Sequence, residues 1–160
     1  MKRRIFAVLA VGAVALASCN KVEEPVAPAE PGSATIKGTL WANTNEDNDT
    51  DQWGWYQYNA EKAPAGILVT AVVNGYDLDR TPDGSYDYPD YKFTATTDAN
   101  GEFTISGISC LDEMISAQIR FNDFSASVLS GGNNTVQSFY GDNWWVNIYD
   151  GAVVIENYNY

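Results

Sequence analysis

Residues 92–108, KFTATTDANGEFTISGI, constrain the fold more than any other stretch of this chain. Two runs of alternating apolar and polar residues flank Asp98-Ala99-Asn100-Gly101, and an Asn-Gly pair supplies the positive φ angles of a tight turn. The stretch therefore predicts a β-hairpin. Phe93 and Ala95 share one face of the incoming strand, and Phe103 and Ile105 share one face of the outgoing strand, so all four can point into a common core. That is the construction of a sandwich or barrel.

The remainder extends the same pattern. Ile36, Gly38 and Leu40 alternate with Lys37, Thr39 and Trp41 in a first strand that starts at Ala34. Ala63-Pro64-Ala65-Gly66 turns into residues 67–73, ILVTAVV, a β-rich run expected at the centre of a sheet. Ile115, Ala117, Ile119 and Phe121 alternate with Ser116, Gln118, Arg120 and Asn122, which marks a half-buried strand. Gly/Asn/Asp turns then separate residues 135–140, 144–149 and 152–160. Seven to eight short strands with no 3.6-residue period predict a single all-β, Ig-like or transthyretin-like sandwich over 34–160. Two polar segments, 43–59 and 74–89, interrupt it as long loops.

Ahead of this domain, Lys2, Arg3 and Arg4 precede an apolar run over 5–16 that ends in Leu16-Ala17-Ser18-Cys19. Residues 1–18 resemble a bacterial lipoprotein signal peptide. The resemblance implies cleavage before Cys19 and lipid on its thiol and new amine, so that the membrane is a partner through the acyl chains. The run is shorter than the ~20 residues that a transmembrane helix needs. Residues 19–33 carry the lipidated cysteine and a Pro/Glu tether, too polar to fold alone and extended by proline. Lys21-Val22-Glu23-Glu24 is similar to the export signal that sends some lipoproteins to the exterior of the outer membrane. A surface location is favoured over a periplasm-facing one.

The chain has nine basic and 21 acidic residues; loss of residues 1–18 would leave six basic ones. Such a domain repels phosphates, so nucleic acid and anionic lipid surfaces are poor partners. Cations, neutral sugars and basic proteins remain. With Cys19 lipidated, Cys110 has no disulfide partner and reads as a small apolar filler.

Residues 34–38 (ATIKG), 65–71 (AGILVTA) and 96–105 (TTDANGEFTI) resemble, in that order, the blocks of carboxypeptidase regulatory-like domains, which are similar to transthyretin-like and collagen-adhesin B-type sandwiches. The resemblance covers roughly residues 34–125 and implies a structural or adhesive module without catalysis. It does not reach the two loops or the tyrosine-rich tail. Some adhesin-type relatives form a Lys–Asn crosslink, but Lys37 alternates with the core positions and so belongs to the solvent face.

No histidine is present. Ser-His-Asp and Cys-His machinery and histidine-based metal sites are thereby excluded. Carboxylate pairs, the remaining route to hydrolysis, fall mainly in turns, where Asp satisfies its own backbone. The chain reads as non-catalytic. Asp47-Asn48-Asp49-Thr50-Asp51 alternates oxygen donors as a calcium loop does, yet Gln52 and Tyr58 stand where an EF-hand needs Gly and Glu. A looser Ca²⁺ site at Asn45, Asp47, Asp49 and Asp51 competes with a solvated acidic loop.

Trp53, Trp55, Tyr56 and Tyr58 crowd the first loop; Tyr76, Tyr86, Tyr88 and Tyr91 lie in or beside the second; Trp144 and Trp145 follow a late turn. Four aromatics within six residues cannot all point inward. Exposed rings among Asn, Asp and Gln suit either a protein partner or the apolar face of a sugar. Alternatively, the loop aromatics fold back over the open ends of the sandwich. The chain thus reads as an adhesion or accessory lipoprotein that binds a protein partner, or as a glycan-binding one. The ligand candidates are Trp53, Trp55, Tyr56, Tyr58, Trp144 and Trp145.

Overall fold

The computed structural model describes residues 32–79 and 88–160. Cys19, most of the tether and Tyr86 lie outside them. In chain order the strands are β1 (Gly32–Ala42), β2 (Glu61–Lys62), β3 (Leu68–Asn74), β4 (Asp90–Thr96), β5 (Glu102–Cys110), β6 (Ile115–Phe121), β7 (Phe124–Ser130), β8 (Asn133–Phe139), β9 (Asn143–Ile148), β10 (Val153–Ile155) and β11 (Tyr158–Asn159). A single helical turn, α1 (Gly75–Leu78), follows β3, with the Asn74 side chain accepting the Tyr76 N–H at 2.9 Å. The chain is an all-β sandwich with eleven strands among the described residues, where seven to eight were expected. The additional strands are β2, only two residues long, β7, which the sequence reading left unassigned, and the second strand made by the break of the expected C-terminal run into β10 and β11.

β1 is the axis of the first sheet, beginning at Gly32, two residues before the expected start. β5 pairs antiparallel along one side of it, and β2 joins at its far end. β10 and then β11 run parallel along the other side. The second sheet is antiparallel throughout, in the order β4-β3-β6-β9, so the 67–73 run is central as its composition implied. β7 and β8 form a separate two-stranded ribbon.

The expected hairpin at 92–108 requires correction. Its turn forms: the Asp98 carboxylate accepts the Asn100 and Glu102 N–H groups at 2.8 and 2.9 Å, and Gly101 has φ +67°. The two strands nevertheless enter different sheets, β4 pairing with β3 and β5 with β1. Alternation correctly aimed Phe93, Ala95, Phe103 and Ile105 at one core, but they meet there from opposite walls. Thr97, buried at this corner, accepts the Ile67 N–H and donates to the Pro64 carbonyl, which satisfies polar groups that a sheet ladder would otherwise pair.

Ile36, Leu40, Ile105 and Ile108 from the first sheet pack against Val69, Val73, Ile119 and Ile148 from the second, all at most 2% exposed. Each such side chain contributes about 1.5–3 kcal/mol relative to exposure. Cys110 is fully buried beside them, and desolvation, then Asp150, raises its thiol, as suits an inert filler. Lys37 is exposed, as the alternation required, and the Asn157 side chain is engaged by the Thr39 N–H.

The C-terminal strand, expected to be continuous over 152–160, breaks between β10 and β11. At this break, where the tail passes alongside β1, a Cβ on Gly38 would run into the Glu156 carbonyl oxygen, so only glycine lets the tail pass this closely. Beyond the break, Tyr158 stacks on Phe121 and meets Trp144, and Tyr160 stands edge-on to Tyr158 and Phe124. The Tyr160 hydroxyl donates to the Asn122 carbonyl at 2.8 Å. This aromatic plug closes one end of the sandwich.

Candidate functional site

The expected ligand aromatics divide into two populations. Trp144 is a correction: it lies on the inward face of β9 with Val146 and Ile148, in contact with Phe121 and Tyr158. Successive strand residues face opposite ways, so Trp145 points outward and is 63% exposed. Trp53, Trp55 and Tyr56 are 74%, 73% and 73% exposed. Tyr58 is less so, and burial followed by the nearby Asp49 raises its phenol above the ordinary value. In the second loop Tyr76 meets Tyr88 edge-on at 5.3 Å, and the Tyr88 hydroxyl donates to Asp79.

The exposed loop rings sit on a built support. Asp51 Oδ1 accepts the N–H groups of both Trp53 and Trp55 at 2.9 Å, its own N–H donates to the Trp55 carbonyl, and the Gly54 N–H returns to the Asp51 carbonyl. Thr50 and Tyr56 pair across the base. The result is a hydrogen-bonded finger at 50–56 with its large side chains in solvent. Below it Asp49, 3% exposed, accepts the Asn59 N–H at 2.8 Å and the Asn43 amide, while its carbonyl accepts the Gln57 N–H at 2.7 Å. Glu61, on β2, accepts the Thr44 and Asn45 N–H groups at 2.9 and 3.0 Å and the Asn48 amide at 2.6 Å. Asp47 accepts the Gly131 and Gly132 N–H groups, tying the loop to the β7–β8 turn.

The calcium set is therefore not assembled as expected. The carboxylates of Asp47, Asp49 and Asp51 each hold different backbone or amide donors, and among the described residues no three acidic or thiol side chains group around a metal position. The acidity of this loop is largely a matter of closing its backbone. Three amide oxygens, on Asn43, Asn45 and Asn48, are buried without a hydrogen-bond partner. Beside Tyr56 opens a cleft of about 410 Å³, walled by Glu46, Asp47, Asp49 and Thr50 and by the facing Ser130-Gly131.

Two features escaped the sequence reading. One is the clamp that the Asp49 and Glu61 carboxylates form on Asn43, Asn48 and Asn59, since Asn43, Asn59 and Glu61 carry no pattern of their own. The other is the outer face of the second sheet, where β6 and β9 pair Gln118 with Trp145 and Arg120 with Asn143. Alternation put Gln118 and Arg120 on the solvent side, but only the pairing of the strands brings Trp145 next to them.

No family model matches the chain. No curated protein matches it either. One similar solved structure is the crystal structure of a "putative carbohydrate binding protein" from Pseudomonas aeruginosa, at 18% identity and a TM-score of 0.44, covering 79% of this chain and 89% of that one. A likeness of that degree transfers neither fold nor ligand.

Proposed function

We propose that this chain is a non-catalytic adhesion or accessory module, held at the outer membrane by lipid on Cys19, that docks a basic protein partner through the finger at residues 50–56. The observation that carries the reading is the display of Trp53, Trp55 and Tyr56, each nearly three-quarters exposed on a backbone fixed by Asp51 and Asp49. Large rings on an ordered support lose little conformational entropy on binding, and Trp and Tyr are the residues that dominate protein interfaces. The adjoining cleft, walled by Glu46, Asp47 and Asp49, adds the charge that suits a Lys or Arg side chain. A net charge of −12 over the chain would steer a basic partner toward it.

Support for the anchor is the Leu16-Ala17-Ser18-Cys19 box after a basic start and apolar run, and for an outward location Lys21-Val22-Glu23-Glu24. Support for the absence of catalysis is the absence of histidine and the burial of Cys110. The test is a photo-crosslinking residue in place of Tyr56 in intact cells. A discrete adduct that disappears with Trp53→Ala plus Trp55→Ala, and that weakens with salt, supports the reading; its persistence in that double variant refutes it. Incorporation of labelled palmitate, lost in Cys19→Ala, tests the anchor separately. A second reading, carbohydrate binding, is favoured by the setting of Trp145.

A further inference from the structure

We propose that the outer face of the second sheet, around Trp145 and Arg120, binds a carboxylate-bearing glycan. The face is laid out by the register of four paired strands. One row runs Lys92, Val72, Gln118, Trp145; the next runs Thr94, Thr70, Arg120, Asn143. Val72, on the same face by alternation, is only 5% exposed and is paired with Lys92 on one side and Gln118 on the other. Trp145 stands at its β9 side, 63% exposed, with Asn143 and Asn147 on the same face of the strand.

The polar groups are already oriented. Arg120 Nε donates to Gln118 Oε1 at 2.6 Å, Gln118 Nε2 reaches Asn143 Oδ1 at 3.4 Å, and Ser116 Oγ approaches Asn147 Oδ1 at 3.5 Å. The Nε bond orients the guanidinium and leaves its two terminal nitrogens without an acceptor among the described residues. No carboxylate pairs with Arg120 among the described residues. Diagonal neighbours across an antiparallel pair lie within reach of long side chains, so one ligand can contact both the Trp145 ring and the Arg120 fork.

Charge complementarity selects the occupant. In a chain of net charge −12, this face displays Lys92 and Arg120, and Asp90, the one acid that the described strands place on it, is hydrogen-bonded by Asn74 at 3.2 Å. A planar guanidinium matches a carboxylate in bidentate geometry. An exposed indole offers a flat apolar platform for the C–H face of a sugar ring, and the Gln and Asn amides both donate and accept, as hydroxyls require. Stacking, amides and one cation fork together describe a uronate or sialate unit. Nucleic acid, which shares the anionic and stacking character, carries a phosphate at every nucleotide, so the overall negative charge opposes it more strongly than a ligand engaged through one carboxylate. The face is built from different strands and has the opposite polarity to the acidic cleft beside the finger, so it stands or falls independently of that docking reading.

The test is calorimetric titration of the full chain with trigalacturonate, glucuronate oligosaccharides and sialyllactose, each beside its methyl ester and a neutral analogue such as maltotriose. The expected result is binding of at least one carboxylated probe, weakened about tenfold or more by esterification, by Arg120→Gln and by Trp145→Ala, with Arg120→Lys intermediate. Trp53→Ala leaves it unchanged. Should a variant not fold, the comparison of acid with ester on the unaltered chain still decides the carboxylate assignment, and Trp145→Phe replaces Trp145→Ala. Absence of binding to every carboxylated probe, equal binding of acid and ester, or loss on Trp53→Ala without loss on Trp145→Ala or Trp145→Phe overturns the proposal.

Discussion

Asp49→Ala is expected to loosen the finger without dissolving the sandwich. The Asp49 carboxylate is 3% exposed and holds the Asn59 N–H and the Asn43 amide. A hydrogen bond to a charged group contributes about 1.5–3 kcal/mol, and the orphaned donors lose their acceptor altogether. Against this, the variant no longer buries a charge, which offsets part of the loss. The net effect on closing the loop comes to about 2–4 kcal/mol, or roughly a 30- to 1000-fold shift in its opening equilibrium. Because β1, β3, β5 and β6 do not depend on the clamp, the change should concentrate in local opening rather than in global unfolding. Amide hydrogen exchange reads this directly: protection at Gln57 and Asn59 should fall by about two orders of magnitude while Val69 and Ile119 keep theirs. Asp49→Asn, which preserves shape and one acceptor oxygen, should fall between. Unchanged protection at Gln57 and Asn59 in Asp49→Ala would refute the claim that this carboxylate supports the display of Trp53 and Trp55.

Gly38→Ala is expected to cost about 3 kcal/mol, because the new methyl meets the Glu156 carbonyl where the tail passes β1. A melting temperature equal to that of the unaltered chain would contradict this close approach. Tyr160 has its phenol raised above 10.0 by burial, then by Tyr158 and Asp123. Its neutral form is thus favoured by folding, so the stability it contributes is present below pH about 10 and declines as the pH rises from there toward the folded value. Melting curves between pH 8 and 11 should show a steeper alkaline fall for the unaltered chain than for Tyr160→Phe; parallel curves would argue against the plug. Calcium in place of chelator should leave the melting temperature unchanged, since Asp47, Asp49 and Asp51 are occupied by protein donors. A rise of several degrees would instead show that the folded chain binds the cation.

Burial was legible in the sequence, and pairing was not. The period of two placed Ile115, Ala117, Ile119 and Phe121 inside and Ser116, Gln118 and Arg120 outside, because alternation is a property of one strand. Which strand lies beside it is decided by contacts distant in sequence. Around Gly101 the Asp98 turn would serve a hairpin or a corner equally well, and β1, with seven residues in register on β5, settles the matter. The same limit hid the break in the C-terminal strand, which follows from the approach of Glu156 to Gly38 rather than from any breaker in residues 152–160.

The aromatic residues show how far local pattern can carry a functional reading. Trp144 and Trp145 are adjacent on β9, so alternation alone required one to be buried and one displayed, and the inward phase of Val146 and Ile148 identifies Trp145 as the displayed one. In the finger no such phase exists, because its backbone is closed by Asp51 rather than by a ladder, and exposure of Trp53, Trp55 and Tyr56 had to be seen. The two displays differ in their neighbours: carboxylates wall the cleft beside Tyr56, while Arg120 and amides surround Trp145. A ring alone does not distinguish a protein partner from a sugar, but the charge beside it does. An acidic cleft disfavours an anionic ligand through Coulomb repulsion, and a guanidinium without a carboxylate partner among the described residues favours one through the same law. Reversing the sign at each place, with Asp47→Lys beside the finger and Arg120→Glu beside Trp145, should therefore abolish one interaction each and leave the other in place.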